Sequence, residues 1–197
     1  MKTFLIAAAV LMTAGAANAA TIDFEELPAG NCNYLGSSTT SQGYVFSSSQ
    51  VYTCEPGGVG TQNTTRALIG YSFGQLSFAR ENGAAFSLNS LFTGNAQFYN
   101  SGTTGASVTG NLIGGGQVAA VLDFDGYAFK QYDFSSAFTG LSSVTLQLFG
   151  PPGSGNSLIM IDNLVVDEAA DVPEPAMLGL FGLGLLGLAR LRRRRAA

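Results

Sequence analysis

The segment between residues 20 and 170 consists of short runs in which apolar and polar residues alternate, separated by Gly, Asn, Ser or Pro. In the run VTLQLF at 144–149, Val and two Leu residues occupy every second position. No long stretch repeats apolar residues at the i, i+3, i+4 and i+7 spacing of an amphipathic helix. Alternation with a period of two is typical of a strand with one buried face. The pattern therefore predicts an all-β body, an antiparallel β-sandwich of the jelly-roll type rather than a barrel.

The alternating runs also predict where the strands lie. The predicted strands cover residues 21–25, 44–47, 50–54, 67–73, 76–80, 96–100, 106–113, 117–123, 127–133, 144–149 and 157–166. The polar segment before residue 44, which is rich in Ser and Thr, is predicted to be a long loop. The Asp125-Gly126 pair predicts a hairpin turn between two of the strands.

The content of ionisable residues excludes several classes of function. The chain contains no histidine, which excludes a Ser-His-Asp or Cys-His nucleophile, an imidazole general base and His-ligated zinc. Its net charge is −4, and Arg66, Arg80 and Lys130 are the basic residues between positions 20 and 170. Nucleic acid binding needs a basic face that neutralises phosphates. We therefore expect neither nucleic acid as a partner nor enzymatic activity.

The first 19 residues have the features of a signal peptide. Lys2 precedes an apolar run at 4–12, and small residues follow up to Ala17-Asn18-Ala19. A charged start, a short apolar helix and an A-x-A site are typical of a signal that the Sec translocon reads and signal peptidase removes. An uncleaved anchor is the alternative, but the run is too short to span a bilayer. We predict cleavage after Ala19 and export of a mature chain that begins at Ala20.

Residues 171–197 predict a membrane anchor with an unusual flank. The apolar segment 176–191 would form a transmembrane helix of about 24 Å. The arginines that follow, Arg192, Arg193, Arg194 and Arg195, place the tail in the cytoplasm and the body outside by the positive-inside rule. A plain stop-transfer anchor explains these features. It does not explain the segment Val172-Pro173-Glu174-Pro175 directly before the helix.

The signal peptide, the V-P-E-P segment, the Gly/Leu-rich helix and the Arg-rich end together resemble the PEP-CTERM sorting signal, also catalogued as the ice-binding protein C-terminal domain. The resemblance implies exosortase as a partner, in Gram-negative bacteria that make extracellular polysaccharide. It also implies cleavage near Pro-Glu-Pro, which moves the body from the inner membrane to the cell surface or matrix. Two prolines hold this segment extended, as a processing enzyme requires. Ice binding itself is not expected, because the paired threonines of the body share no period.

Cys32 and Cys54 are the two cysteines of an exported chain. Such a pair most often forms one intramolecular disulfide. A redox pair is the alternative, but the spacing is not C-x-x-C. We therefore predict a structural disulfide.

Three carboxylates predict a candidate structural calcium site. Asp162 lies within the apolar run LIMIDNLVV at 158–166, where an unpaired charge would be costly to bury. Asp23 and Glu25 lie in an early DFE motif. This pair of motifs resembles galactose-binding-like and carbohydrate-binding-module jelly rolls, which implies that the acids of the first and last strands meet around calcium. The alternative is that Asp162 begins a β-bulge or faces solvent. No other cofactor is predicted.

These observations predict an exported surface or matrix protein without catalytic residues, associated with exopolysaccharide. A first alternative is a carbohydrate-binding module that stacks sugars on tyrosine, and its candidates are Tyr34, Tyr44, Tyr52, Tyr71, Tyr99, Tyr127 and Tyr132. A second alternative is a secreted glycan hydrolase. Asp123 and Asp125, at i and i+2 on a strand, would lie about 7 Å apart, which glycoside hydrolysis tolerates, and Glu25 and Asp162 are the other candidate acids.

Overall fold

The structure is a computed structural model that describes residues 18–56, 65–71, 75–95, 104–125, 129–150 and 158–168. These residues form eleven strands: β1 (Asn18–Ile22), β2 (Cys32–Ser41), β3 (Tyr44–Cys54), β4 (Ala67–Tyr71), β5 (Gln75–Arg80), β6 (Phe86–Asn95), β7 (Gly105–Leu112), β8 (Gln117–Asp123), β9 (Lys130–Asp133), β10 (Leu141–Phe149) and β11 (Leu158–Glu168). All strand pairs are antiparallel. The all-β, antiparallel prediction is thus confirmed.

The predicted signal peptide at 1–19 and the predicted sorting segment at 171–197 lie almost entirely outside the described residues. The exceptions are Asn18 and Ala19, which belong to β1 rather than to the predicted signal helix. The predicted transmembrane helix and the residues of the sorting signal are not among the described ranges. Within those ranges, we find no helix with the length and apolar character needed to cross a membrane.

The strands form one continuous sheet in the order β8-β7-β10-β5-β3-β4-β11-β6-β9, with β1 added to β11 and β2 added to β3. Leu141 on β10 also pairs with Phe86 on β6, so the sheet closes on itself in a barrel-like arrangement. The prediction of a β-sandwich rather than a barrel is therefore wrong, because a sandwich has two separate sheets and the described strands form one closed sheet. The first half of β3 pairs with β5 and its second half with β4. This one long strand therefore joins the part of the sheet that contains β5 to the part that contains β4.

The main core lies inside this closed sheet and is centred on aromatic rings. Tyr44, Phe46, Phe78 and Phe86 project from β3, β5 and β6, and Phe24 projects from the turn after β1. Neighbouring rings have centroids 5.1 to 5.9 Å apart, in edge-to-face or tilted arrangements. Complete burial of such a side chain contributes roughly 1.5–3 kcal/mol. This cluster therefore supplies much of the stability of the body.

Two strands were not predicted, and one turn was predicted wrongly. β2 was predicted to be a loop, and β6 was not predicted at all. β8 pairs with β7 and β9 pairs with β6, so the described strands on either side of Asp125-Gly126 do not pair with each other as the predicted hairpin requires. Gly126 itself lies outside the described residues. The predicted strand at 96–100 lies outside the described residues. β1 ends earlier than predicted, because Phe24 adopts a φ of 60° and turns the chain.

Candidate functional site

The strands β2, β3, β4 and β11 lie side by side and present a second apolar face, opposite the main core. On β3, Val51 packs into the main core, whereas Tyr52 and Cys54 belong to this second face. The register aligns its residues in three cross-strand rows: Cys32–Cys54–Ala67, Tyr34–Tyr52–Ile69–Met160 and Gln50–Tyr71–Leu158. Three neighbouring strands thereby bring tyrosines to one face of the sheet.

A groove with a volume of about 450 Å³ lies on this face. Its described lining residues are Cys32, Gln50, Tyr52, Cys54, Ile69, Tyr71 and Leu158, none of which carries a charge. Ile69 and Leu158 are the buried apolar lining residues, and they pack in one cluster with Met160 and Cys54. We call this cavity, with Tyr34 at its rim, the tyrosine groove.

Ring packing and hydrogen bonds hold the tyrosines of the groove in place. The ring of Tyr34 lies 5.2 Å from the ring of Tyr52, in a tilted arrangement. The hydroxyl of Tyr52 donates a hydrogen bond of 2.9 Å to Oε1 of Gln50. The hydroxyl of Ser49 donates to the carbonyl of Tyr71. Tyr34 is 60% exposed and therefore accessible from solvent.

The predicted disulfide is confirmed and borders the groove. Cys32 and Cys54 are bonded, with Cα atoms 4.2 Å apart, and they lie directly opposite each other on β2 and β3. The bond therefore ties strand β2 to the interior strand that carries Tyr52.

Two of the other candidate tyrosines, Tyr44 and Tyr132, are described by the structure and do not join this site. Tyr44 is buried in the main core. Tyr132 lies on β9 and donates a hydrogen bond of 2.6 Å to the carbonyl of Asp123. Tyr99 and Tyr127 are outside the described residues. The sequence alone could not make this selection, because the choice depends on strand register rather than on residue type.

Asp162 is fully buried and begins a β-bulge in β11. The register against β6 shifts after Asp162, and Asn163 adopts a φ of 44°. The Asp162 carboxylate accepts a hydrogen bond of 2.5 Å from the hydroxyl of Thr65 and one of 2.7 Å from the backbone N–H of Asn163. The bulge that the sequence left as an alternative is therefore present.

The first and last strands are neighbours, as expected. β1 pairs with β11 over its whole length, from Asn18↔Glu168 to Ile22↔Leu164. Asp23 and Glu25, however, follow β1 in the turn around Phe24. Asp23 accepts a hydrogen bond of 3.0 Å from the side chain of Gln42. The turn therefore directs both acids away from the core that Phe24 enters.

Arg66 neutralises the acidic residues beside this turn. Glu25 accepts a hydrogen bond of 2.8 Å from the backbone N–H of Arg66, and the Arg66 guanidinium lies 3.2 Å from Glu55. The guanidinium also donates to the carbonyl of Leu27 at 2.7 Å. Among the described residues, no three acidic or cysteine side chains form a group that could hold a metal ion. The calcium site at Asp23, Glu25 and Asp162 thus stays a prediction. In the structure, each of these three carboxylates accepts a hydrogen bond from a neighbouring residue.

Asp123 and Asp125, the candidate hydrolase pair, lie at the end of β8 and just beyond it. Their negative charges, together with the larger effect of burial, raise the pKa of Tyr132 above its ordinary value. Neither carboxylate lines the tyrosine groove. This geometry offers no argument for catalysis by the pair.

Residues 171–195 match the PEP-CTERM protein-sorting motif. This match confirms the resemblance drawn from the Pro-Glu-Pro segment, the apolar segment after it and the arginines. No curated protein matches the chain significantly in sequence.

Several solved structures are similar to the chain at low identity. TmCBM61, solved in complex with β-1,4-galactotriose, is 10% identical with a TM-score of 0.37, and the match covers 64% of this chain and 88% of that one. A family 29 carbohydrate-binding module is 18% identical with a TM-score of 0.37, covering 83% and 98% of the two chains. An exo-β-agarase is 12% identical with a TM-score of 0.43, and the match covers 74% of this chain but 24% of the agarase. Similarity at this level does not assign a function.

Proposed function

We propose that the chain is an exported, non-enzymatic protein of the cell surface or extracellular matrix, whose body binds neutral matrix polysaccharide in the tyrosine groove. The PEP-CTERM motif at 171–195 supports sorting by an exosortase-type system. The disulfide fits an oxidising compartment outside the cytoplasm. In this proposal the precursor is held in the inner membrane with its body outside and its C-terminus in the cytoplasm. Processing then delivers the body to the surface or matrix.

The observation that carries the binding proposal is the gathering of Tyr34, Tyr52 and Tyr71 around one open groove. Aromatic rings provide flat apolar surfaces on which the C–H faces of sugar rings can pack. Gln50 and the tyrosine hydroxyls provide donors and acceptors that can bind sugar hydroxyls. An apolar cavity with a few convergent polar groups is the usual form of a small-molecule or polymer site.

The charges around the groove favour a neutral ligand. The described lining residues carry no charge, and the chain is acidic overall, with a net charge of −4. A uronic-acid-rich or sulfated polymer would meet no cation among the described lining residues and would be repelled by the net negative charge of the chain. A neutral polysaccharide has no such cost.

The proposal is tested by binding the protein to the producing cell's own extracellular polysaccharide, separated by anion exchange into neutral and anionic fractions. We expect the protein to be retained by the immobilised neutral fraction, in a manner that added salt does not weaken. Phe149→Ala, which removes an aromatic side chain that is 40% exposed and does not line the groove, is the control variant and should bind normally. Retention by neither fraction would overturn the polysaccharide proposal, and retention by the anionic fraction would overturn the neutral class.

A further inference from the structure

Tyr34 lies on a strand that is paired along one of its two sides in the described structure. Among the described residues, β2 pairs with β3 and with no other strand. The register is broken on both sides of Gly36, which has a φ of 100°. The segment 32–35 is therefore separated by an irregular stretch from the regular pairing of Ser38 to Ser41. Terminal segments of edge strands are the parts of a sheet that open most readily.

The segment 32–35 is held by its ladder with β3, by the side chain of Asn33 and by Leu35, which packs against the main core. Cys32, Asn33 and Tyr34 face Cys54, Thr53 and Tyr52 in the β2–β3 ladder. The side chain of Asn33 also donates hydrogen bonds to the carbonyls of Pro28 and Ala29, at 3.1 and 2.6 Å. The Cys32–Cys54 bond is the one covalent link between the segment and β3 within the described structure. Cys32 is two residues from Tyr34, and both side chains point to the groove face.

We propose that the Cys32–Cys54 disulfide is a positioning element of the tyrosine groove, because it holds Tyr34 against Tyr52 in the arrangement that receives the sugar. This inference rests on the proposed polysaccharide-binding function. A rim that is already ordered avoids the entropy cost of ordering a side chain on binding. Without the bond, residues 32–34 open part of the time while Leu35 stays packed on the main core. The polysaccharide must then order Tyr34 before it can contact the ring. The disulfide then acts on affinity through Tyr34 and not only on the stability of the body.

A double-mutant cycle on the full chain in mild detergent tests this inference. The four proteins are the wild type, Tyr34→Ala, the paired change Cys32→Ser with Cys54→Ser, and the combination of all three changes. Affinity for the neutral polysaccharide fraction is measured at a temperature where circular dichroism shows every variant folded. We expect Tyr34→Ala and the paired serine change each to weaken binding roughly three- to tenfold. We expect the combination to bind no more weakly than Tyr34→Ala alone, since the two changes remove the same contribution.

Each other outcome has a defined meaning. If the disulfide-free protein binds as tightly as the wild type, or if the losses multiply in the combination, the positioning inference is wrong. Tyr34→Ala alters an exposed side chain and should fold, so normal binding by this variant overturns the inference even where the serine variants do not fold. If the wild type does not bind the neutral fraction, the proposed function itself fails, which is a different result from normal wild-type binding without dependence on the disulfide.

Discussion

The hydroxyl of Thr65 donates a hydrogen bond of 2.5 Å to the carboxylate of Asp162, although 97 positions of sequence separate the two residues. Asp162 lies where β11 passes from its pairing with β4 to its pairing with β1. Thr65 is two residues before the start of β4. A carboxylate that is fully buried requires such partners, because an unpaired buried charge is strongly destabilising.

Replacing Thr65 by Val keeps the shape of the side chain and removes this donor. We expect Thr65→Val to lower the free energy of unfolding by about 1–3 kcal/mol, because a buried acceptor loses a partner. Urea denaturation of the two proteins measures the difference. Thr40→Val, at an exposed position of β2, is the matched control and should change stability by less than about 0.5 kcal/mol. Equal effects of the two substitutions would show that the bond to Asp162 contributes little.

Calcium gives a second test of the same residues. A calcium ion shared by Asp23, Glu25 and Asp162 predicts that millimolar calcium raises the melting temperature and that chelator lowers it. At a hundredfold excess over Kd, the stabilisation would be about 2.7 kcal/mol, and Asp162→Asn should abolish the dependence. The hydrogen bonds from Thr65, Asn163 and Arg66 need no ion and predict superimposable melting curves. Differential scanning calorimetry with calcium and with chelator decides between the two accounts.

The alkaline stability of the body should depend on Tyr132. Burial raises its pKa above the ordinary value of 10.0, and Asp123 and Asp125 raise it further. The unfolded chain therefore releases this proton at a lower pH than the folded protein. The contribution of Tyr132 to stability is complete below about pH 10 and is lost as the pH rises through the folded-state pKa. Tyr132→Phe cannot titrate, so its free energy of unfolding should fall less than that of the wild type between pH 9 and pH 12. Parallel pH profiles of the two proteins would contradict this prediction.

Processing of the two ends is tested by the intact mass of protein released from the producing cells. We expect the mature chain to begin at Ala20 and to end near Pro173-Glu174-Pro175. This start leaves Ala20, Thr21 and Ile22 paired with β11. Changing Pro173, Glu174 and Pro175 to alanine should keep the body membrane-tethered, because the predicted transmembrane helix and the arginines would still anchor it. A released protein that retains residues 178–195 would show that the prediction of cleavage by exosortase is wrong.

The sequence predicted those features that depend on local pattern and residue chemistry. Alternation of apolar residues predicted the all-β class, and two cysteines in an exported chain predicted the bond between Cys32 and Cys54. Strand β2 was not predicted because a segment rich in Ser and Thr is typical of a loop. Its strand conformation depends on pairing with β3, which the local sequence does not show. Strand β6 was missed because two adjacent residues, Ser90 and Leu91, are both buried. The alternation of buried and exposed residues therefore shifts by one position opposite the bulge in β11.

The site depended on information that is not local. Each tyrosine has the same intrinsic chemistry, and only the register of β2, β3 and β4 brings Tyr34, Tyr52 and Tyr71 together while Tyr44 enters the core. The calcium prediction followed from correct adjacency of β1 and β11. It did not include Arg66, whose contacts with Glu25 and Glu55 could not be inferred from spacing along the chain.

The most direct test of the central claim is the affinity of a groove variant for the neutral polysaccharide fraction. In the double variant Tyr52→Ala and Tyr71→Ala, the two rings that line the cavity are lost, while the uncharged character of the groove is kept. Isothermal titration calorimetry should show affinity at least about tenfold below that of the wild type, with the Phe149→Ala control unchanged. Wild-type affinity in a folded double variant would contradict polysaccharide binding in the tyrosine groove.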